Sequence, residues 1–216
     1  MPPPEPLRVL GEDGPRIYVW KPSGIPVFPP HQDPTGDCLL ARILARWPER
    51  ATGWGPGFEG GLAHRLDNAT SGLVLLARTP PDLPALRADF REGRLLKRYR
   101  LHSSAAAAFV EKVVTVPLAH HPRKADRMVW ERGPRTAHRG RWYPAWTRFE
   151  HIEGPDWRAE IRTGVTHQIR VHAAWAGIPL DGDPIYGLPG TGRFLLHHEQ
   201  VIGPGWVSAV APLPGD

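Results

Sequence analysis

Apolar and polar positions along the chain fall into short runs of two different periods. Arg16-Ile-Tyr-Val-Trp-Lys21 has strand composition and is halted by Pro22, which predicts a strand over 16–21. Ser71-Gly-Leu-Val-Leu-Leu-Ala-Arg78 is apolar without alternation, the pattern of a strand buried on both faces. Leu39, Leu40, Ile43, Leu44 and Trp47 recur at helical spacing, so a core-facing helix is expected there, capped by Asp37 and ended by Pro48. A second, short helix opens at Asp82 and Pro84, with Leu83, Leu86 and Phe90 on one side and Arg87, Arg91 and Arg94 on another. Strands are predicted over 98–104, 112–118, 145–152, 157–163 and 194–202, and a helix from a Thr166 cap to about Ala176, with Gly177 as its stop. Residues 119–144 show little apolar periodicity and read as a loop or irregular basic insertion. Residues 1–15, rich in Pro and Gly, read as an extended arm, and 16–216 as a single domain. Strands outnumber helices and are joined by short turns, so the class is α+β, a mostly antiparallel mixed sheet flanked by helices.

Composition narrows the setting. At 216 residues, 41% hydrophobic and 23% charged, the chain has the make-up of an ordinary globular protein despite 23 Gly and 26 Pro. Cys38 is the single cysteine, which rules out an internal disulfide and a zinc site built on several cysteines. The start Met-Pro-Pro-Pro-Glu has no basic segment followed by an apolar one, and the longest apolar runs are far short of a bilayer span. A cytoplasmic protein without a membrane span is expected. The net charge of +5 is unevenly spread: residues 87–148 hold 15 Lys and Arg against 5 Asp and Glu, the rest 12 against 17. A basic segment dominated by arginine is the electrostatic footprint of a polyanion partner, which points to nucleic acid. The helix face of Arg87, Arg91 and Arg94 and the loop residues Arg123, Lys124 and Arg127 are the candidate RNA contacts.

The chain contains no phosphate loop, dinucleotide-binding glycine fingerprint, zinc-protease motif or nucleophile elbow. His120-His121 and His197-His198 are adjacent pairs, and His167 and His172 lie about 140° apart around a helix, so no metal site is expected. Two constellations remain. Ala63-His-Arg-Leu-Asp67-Asn-Ala-Thr-Ser-Gly72 sets Arg65 and Asp67 on a loop that runs into a buried strand, either as functional groups on a rigid scaffold or as an Asx-type turn. Thr166-His-Gln-Ile-Arg-Val-His172 opens a helix whose first turn favours an anion, with Arg170 able to pair with a carboxylate or a phosphate, or else simply with solvent.

Taken together, these segments resemble the RluA-type pseudouridine synthases. His64-Arg-Leu-Asp67 followed by Thr70-Ser-Gly72 is similar to that family's signature, Lys21-Pro-Ser-Gly24 to its first motif, and Lys97-Arg-Tyr99 to its Lys-x-Tyr. Thr166 to His172, with Gly182-Asp183 and Tyr186-Gly187, is similar to its third motif, and the resemblance covers about residues 16–200. It implies the pseudouridine synthase catalytic fold and an isomerase that detaches uracil from ribose and rejoins it through carbon 5, with neither cofactor nor metal. Asp67 would be the catalytic nucleophile or base, Arg170 its charge partner, and Tyr99 the ring against the uracil and acceptor of the carbon-5 proton. Arg65 would fill the space left by the extruded base. The implied partner is a ribosomal or transfer RNA stem-loop, met by a monomer. Val165 and the His198 of Leu196-His-His198 depart from the family pattern at positions that bear on substrate contacts. The small N-terminal RNA-binding domain of many relatives is absent from this sequence, so substrate selection is expected to rest on the catalytic domain. The competing reading is an RNA-binding module or chaperone that uses the fold without catalysis, and a further one is a hydrolase that releases free uracil.

Overall fold

The computed structural model describes residues 6–29, 36–54, 60–188, 190 and 192–215. The first five residues of the expected arm and residues 30–35 and 55–59 lie outside the described residues. The backbone divides into two compact units, one running up to Leu95 and resuming at His198, the other spanning Leu96–His197.

The first unit opens with β1 (Arg8–Asp13) and β2 (Arg16–Lys21), an antiparallel hairpin. The arm predicted for this region is extended but paired, because Gly14 at φ +50 turns the chain back and Asp13 meets Arg16 across the turn at 2.8 Å. Helix α1 (Leu39–Arg46) follows as expected, with a different cap. Extended Cys38 accepts the Ala41 amide on its sulfur at 3.3 Å, while Asp37 takes both ends of the Arg42 guanidinium, at 2.9 and 2.6 Å. The charged fork outcompetes a main-chain amide for the carboxylate. Strand β3 (Ser71–Ala77) is buried at every position and pairs antiparallel with β2, so Lys21 lies opposite Gly72. Helix α2 (Leu83–Arg91) starts after a turn in which Thr79 and Asp82 cap each other, and it lays Leu83 and Leu86 on a core of Tyr18, Leu73 and Leu75.

The second unit holds β4 (Leu96–His102), β5 (Glu111–Val114), β6 (Leu118–His120), β7 (Met128–Trp130), β8 (Arg139–Tyr143), β9 (Thr147–Glu153), β10 (Asp156–Ile161) and α3 (Gln168–Ala176). Strands β4, β10, β9 and β5 are neighbours in that order, each pairing antiparallel. On β4 the alternation is strict: Lys97, Tyr99 and Leu101 are buried, whereas Arg98 and Arg100 reach Glu160 and Asp156 of β10. The stretch 119–144 is not an irregular insertion. Its β6, β7 and β8 form a separate three-stranded sheet in the order β7-β6-β8. Each strand is too short to display a period, and order comes instead from Leu118 and Met128 packing with Ala145 and Val171. Helix α3 ends at Gly177, in the left-handed region at φ +88, as the sequence predicts. Its start does not use Thr166: His167 occupies the cap position at φ +55, and no side chain caps there. Gln168 shapes the turn, accepting from Thr163 Oγ1 at 2.8 Å and Val165 N at 3.1 Å while donating to Trp146 O at 2.9 Å.

The chain ends with β11 (Leu196–Gly203), which neighbours β3, and β12 (Trp206–Val207), antiparallel to it. Helices and antiparallel strands in these proportions are α+β.

Candidate functional site

In the first unit the site is a pair of loops leaving the same end of β2 and β3. Because Lys21 is opposite Gly72, the loop after Lys21 and the loop before Ser71 run side by side. Three bonds lace them: Gly24 N to Asn68 O at 2.8 Å, Ser23 Oγ to Ala69 O at 2.7 Å, and Lys21 Nζ to Asn68 O at 3.1 Å. The Lys21 ammonium also donates to Pro22 O at 2.8 Å and Ile25 O at 2.7 Å, and the side chain is wholly buried. Burial lowers its pKa to about 8, opposed by the nearby Asp67 carboxylate and reinforced by Arg42. Asp67 is half-buried and its main-chain carbonyl accepts the Thr70 amide at 3.1 Å, closing the turn. Leu66 is buried and Arg65 exposed, so the loop holds its apolar residue in and its guanidinium out. His64 has a scaffold role: its Nε2 accepts the Leu75 amide at 3.0 Å and its ring packs 4.5 Å from Phe90.

Gly72 shows how closely this loop is seated. It sits at φ +115, and a Cβ there would lie 2.3 Å from His198 O. His198, one of the two departures from the family pattern, is fully buried, with Nδ1 2.6 Å from Leu73 O.

In the second unit, Tyr99 is buried on the face of β4 that also carries Lys97, whose Nζ donates to Thr163 O at 2.8 Å. Burial pulls Lys97 down to about 8 as well. Arg170 is buried in α3 and grips Asp183 with two bonds of 2.7 Å each. Asp183 Oδ1 accepts the amides of Ile185 at 2.8 Å and Tyr186 at 3.1 Å. Burial alone would raise the Asp183 carboxyl, but Arg170 and these amides outweigh it and hold it below the usual carboxylate range. His172 touches Thr147 Oγ1 at 2.8 Å and Val116 O at 2.9 Å, and burial lowers its pKa, so it is a neutral strut. Val165, the other departure, packs with the Leu118 and Val171 cluster.

Asp67 and Arg65 thus belong to one unit, Tyr99 and Arg170 to the other. Lys21 and Asp183 lie in the sequence motifs but outside the set of candidate site residues, and both are buried charges at the centre of bond networks. The available signal was a charged residue abutting an apolar strand end or a glycine. Arg87, Arg91 and Arg94 are exposed, with Arg91 near Glu92 at 3.4 Å and Arg94 paired to Asp89 at 2.7 Å and to Glu92. Arg123 and Lys124 are exposed and Arg127 half-buried. A cleft of about 330 Å³ lined by Glu12, Trp47, Arg50, Trp54 and Arg78 lies in the first unit and includes none of the nominated residues. Among the described residues no group of three or more His, Cys, Asp or Glu could hold a metal ion, and no helix is long and apolar enough to cross a membrane.

The chain is 32% identical to an uncharacterized RNA pseudouridine synthase of Synechocystis sp., over 97% of this chain and 66% of that one. It is 34% identical to the ribosomal large subunit pseudouridine synthase D of Neisseria meningitidis, over 88% of this chain and 48% of that one. It therefore spans about half to two-thirds of the length of these curated relatives. Among solved structures, human RNA pseudouridylate synthase domain containing 1 superimposes with a TM-score of 0.76 at 20% identity, covering 99% of this chain and 86% of that one, which establishes the shared fold. The family model described as RNA pseudouridylate synthase matches residues 16–175, from the first residue of β2 into α3. That span carries Lys21, Asp67, Tyr99 and Arg170 together, and on this match the chain belongs to the RNA pseudouridylate synthase family.

Proposed function

We propose that this chain is an RNA pseudouridine synthase that isomerises uridine in a structured RNA, with Asp67 acting at the ribose as nucleophile or base. The observation that carries the reading is the Asp67 loop itself: a half-buried carboxylate near a wholly buried ammonium, on a turn laced to a neighbouring loop, in a chain of this family. Such seating holds a reacting group in place before substrate arrives. Tyr99 supplies the ring against the extruded uracil and takes the carbon-5 proton, Arg170 sets charge and orientation at the carboxylate, and exposed Arg65 occupies the place the base leaves. Isomerisation breaks the bond from the anomeric carbon to nitrogen 1 and forms one to carbon 5; the carbon-5 proton leaves to solvent and nitrogen 1 takes one up, so the step balances without a redox partner. Ribosomal RNA is the first substrate to test, given how the Neisseria relative is named, with transfer RNA next and the cytoplasm as the setting.

The test is tritium release from RNA labelled at uridine carbon 5. The parent releases tritium and forms pseudouridine, while Asp67→Asn binds the same RNA and releases none. Turnover by Asp67→Asn at the parent rate would overturn the role of Asp67. Free uracil in place of pseudouridine would make the protein a hydrolase, and binding without turnover by the parent would make it an RNA-binding module.

A further inference from the structure

The two cationic patches nominated from the sequence differ in one respect that only coordinates show. Arg91, the last residue of α2, and Arg94, just beyond the helix, pair with Asp89 and Glu92. The same holds on the larger sheet of the second unit, where Arg98, Arg100, Arg148 and Arg158 pair with Glu160, Asp156, Glu111 and Glu150. The small β6-β7-β8 sheet is different. Residues 118–144 hold seven Lys and Arg against Asp126 and Glu131, and among the described residues none of those seven makes an ion pair. Arg123, Lys124, Arg132, Arg135, Arg139 and Arg141 are all exposed.

Register gathers them. Arg139 opens β8 opposite His120, at the end of the sheet from which the turn bearing Arg123 and Lys124 projects. Arg141 follows two residues along β8, an edge strand, and the β7-to-β8 connection brings Arg132 and Arg135 across. Rings are interleaved with the cations: Arg132 lies 4.4 Å from the Trp130 centroid, Arg141 lies 4.9 Å from that of Tyr143, and the His138 and Trp142 rings are 4.4 Å apart. Stacking restrains a guanidinium without using up its hydrogen bonds, which suits it to phosphate. Half-buried rings beside it offer faces to unstacked bases.

We infer that the β6-β7-β8 sheet is the principal RNA-docking surface of this chain, taking the phosphate backbone and splayed bases of the substrate stem-loop. The inference rests on the proposed RNA substrate, and its occupant is argued from charge complementarity: a face of uncompensated positive charge fits a polyanion and repels basic partners. Asp67 plays no part in this docking.

The test measures affinity against salt for a short synthetic stem-loop RNA with uridines in its loop, using the full chain in the parent and Asp67→Asn forms so that binding is read apart from turnover. Substituting Arg132, Arg135, Arg139 and Arg141 by Gln is expected to flatten the log–log slope by about two to three units and weaken binding at least about tenfold at moderate salt. Arg→Lys at the same four positions keeps the slope and loses part of the affinity, since charge remains while the stacking of Arg132 and Arg141 goes. Gln at Arg87, Arg91 and Arg94 changes the slope by less than the sheet substitutions. Single Arg135→Gln and Arg139→Gln variants, exposed and without a ring partner among the described residues, carry the test if the quadruple variant misfolds, each flattening the slope by about half a unit to one unit. An unchanged slope in the folded sheet variants, or a larger change from the α2 variants, overturns the inference even if the parent makes pseudouridine. A slope flattened in the sheet variants, when the parent makes no pseudouridine, upholds the docking surface and removes the catalytic reading alone.

Discussion

Arg170 and Asp183 keep only 6% and 0% of their side-chain surface exposed, so each is the other's replacement for water. Arg170→Ala leaves a buried carboxylate without its cation, at a cost of about 3–5 kcal/mol, and activity falls with stability. Arg170→Lys does not restore either, because an ammonium cannot make the paired 2.7 Å bonds. Thermal melts and tritium release check both variants; an Arg170→Ala protein as stable as the parent would contradict the pair. Asp183 also sets an acid limb. Its folded pKa lies below the unfolded value, so its contribution to stability is complete above the unfolded value near pH 4 and is lost as pH falls through the folded pKa. Denaturation across that window should show a shallower acid loss in Asp183→Asn, from a lower starting stability. Tyr99→Phe keeps the buried ring and removes the hydroxyl, so RNA binding survives while release of the carbon-5 proton slows. Parent-rate tritium release by that variant would leave Tyr99 a packing surface.

At the scale of elements, the Asp67 loop is held by what β2 and β3 do at their shared end. Lys21 donates to three carbonyls on two loops, at 2.8, 2.7 and 3.1 Å, so Lys21→Met strands three acceptors and costs about 2–4 kcal/mol, with a loss of turnover beyond what unfolding explains. The same lysine loses its proton near pH 8, so an alkaline limb in kcat/KM is expected there, and Lys21→Met should abolish that limb along with most of the activity. Gly72→Ala tests the seating of β3. Its Cβ would meet His198 O at 2.3 Å from a left-handed backbone, a cost of about 2–5 kcal/mol that neither strand can relieve by rotating a side chain.

For the whole molecule, two wholly or nearly buried lysines contribute to the alkaline side of stability. Lys21 and Lys97 both titrate near pH 8 when folded and near 10.5 when not, so above pH 8 the unfolded chain binds more protons at these two groups and their contribution to stability rises with pH. Buried Cys38 and Tyr18, raised from 9.0 and 10.0, act the other way above those values. Activity and stability should therefore move in opposite directions between about pH 8 and 9, measured by chemical denaturation and by initial rates on the same samples. If the substrate is the RNA proposed above, the unpaired part of the formal +10 between residues 87 and 148 is expected to make affinity fall steeply with salt. Four to six phosphate contacts imply roughly a hundredfold loss for a fivefold rise in salt, and a flat response would mean that the basic segment faces solvent.

What the chain alone settled is what local patterns encode. The boundaries of β2, the full burial of β3, the Leu83 and Leu86 face of α2 and the Gly177 stop of α3 all follow from period, composition and backbone preference within a few residues. So did the presence of Asp67, Tyr99 and Arg170 in ordered motifs. Other features depend on partners far along the chain. Strands β6 to β8 are three to five residues long and owe their order to α3 and its neighbours, so no period could reveal them. The choice of Cys38 over Asp37 as cap was made by Arg42, and that of His167 over Thr166 by the buried Gln168 side chain. The carboxylate that Arg170 grips within its unit lies thirteen residues on, in a loop that only packing brings to the helix. Which arginines keep their charge and which are neutralised was likewise decided by tertiary structure, because an ion pair depends on where two side chains end in space, and composition counts them without placing them.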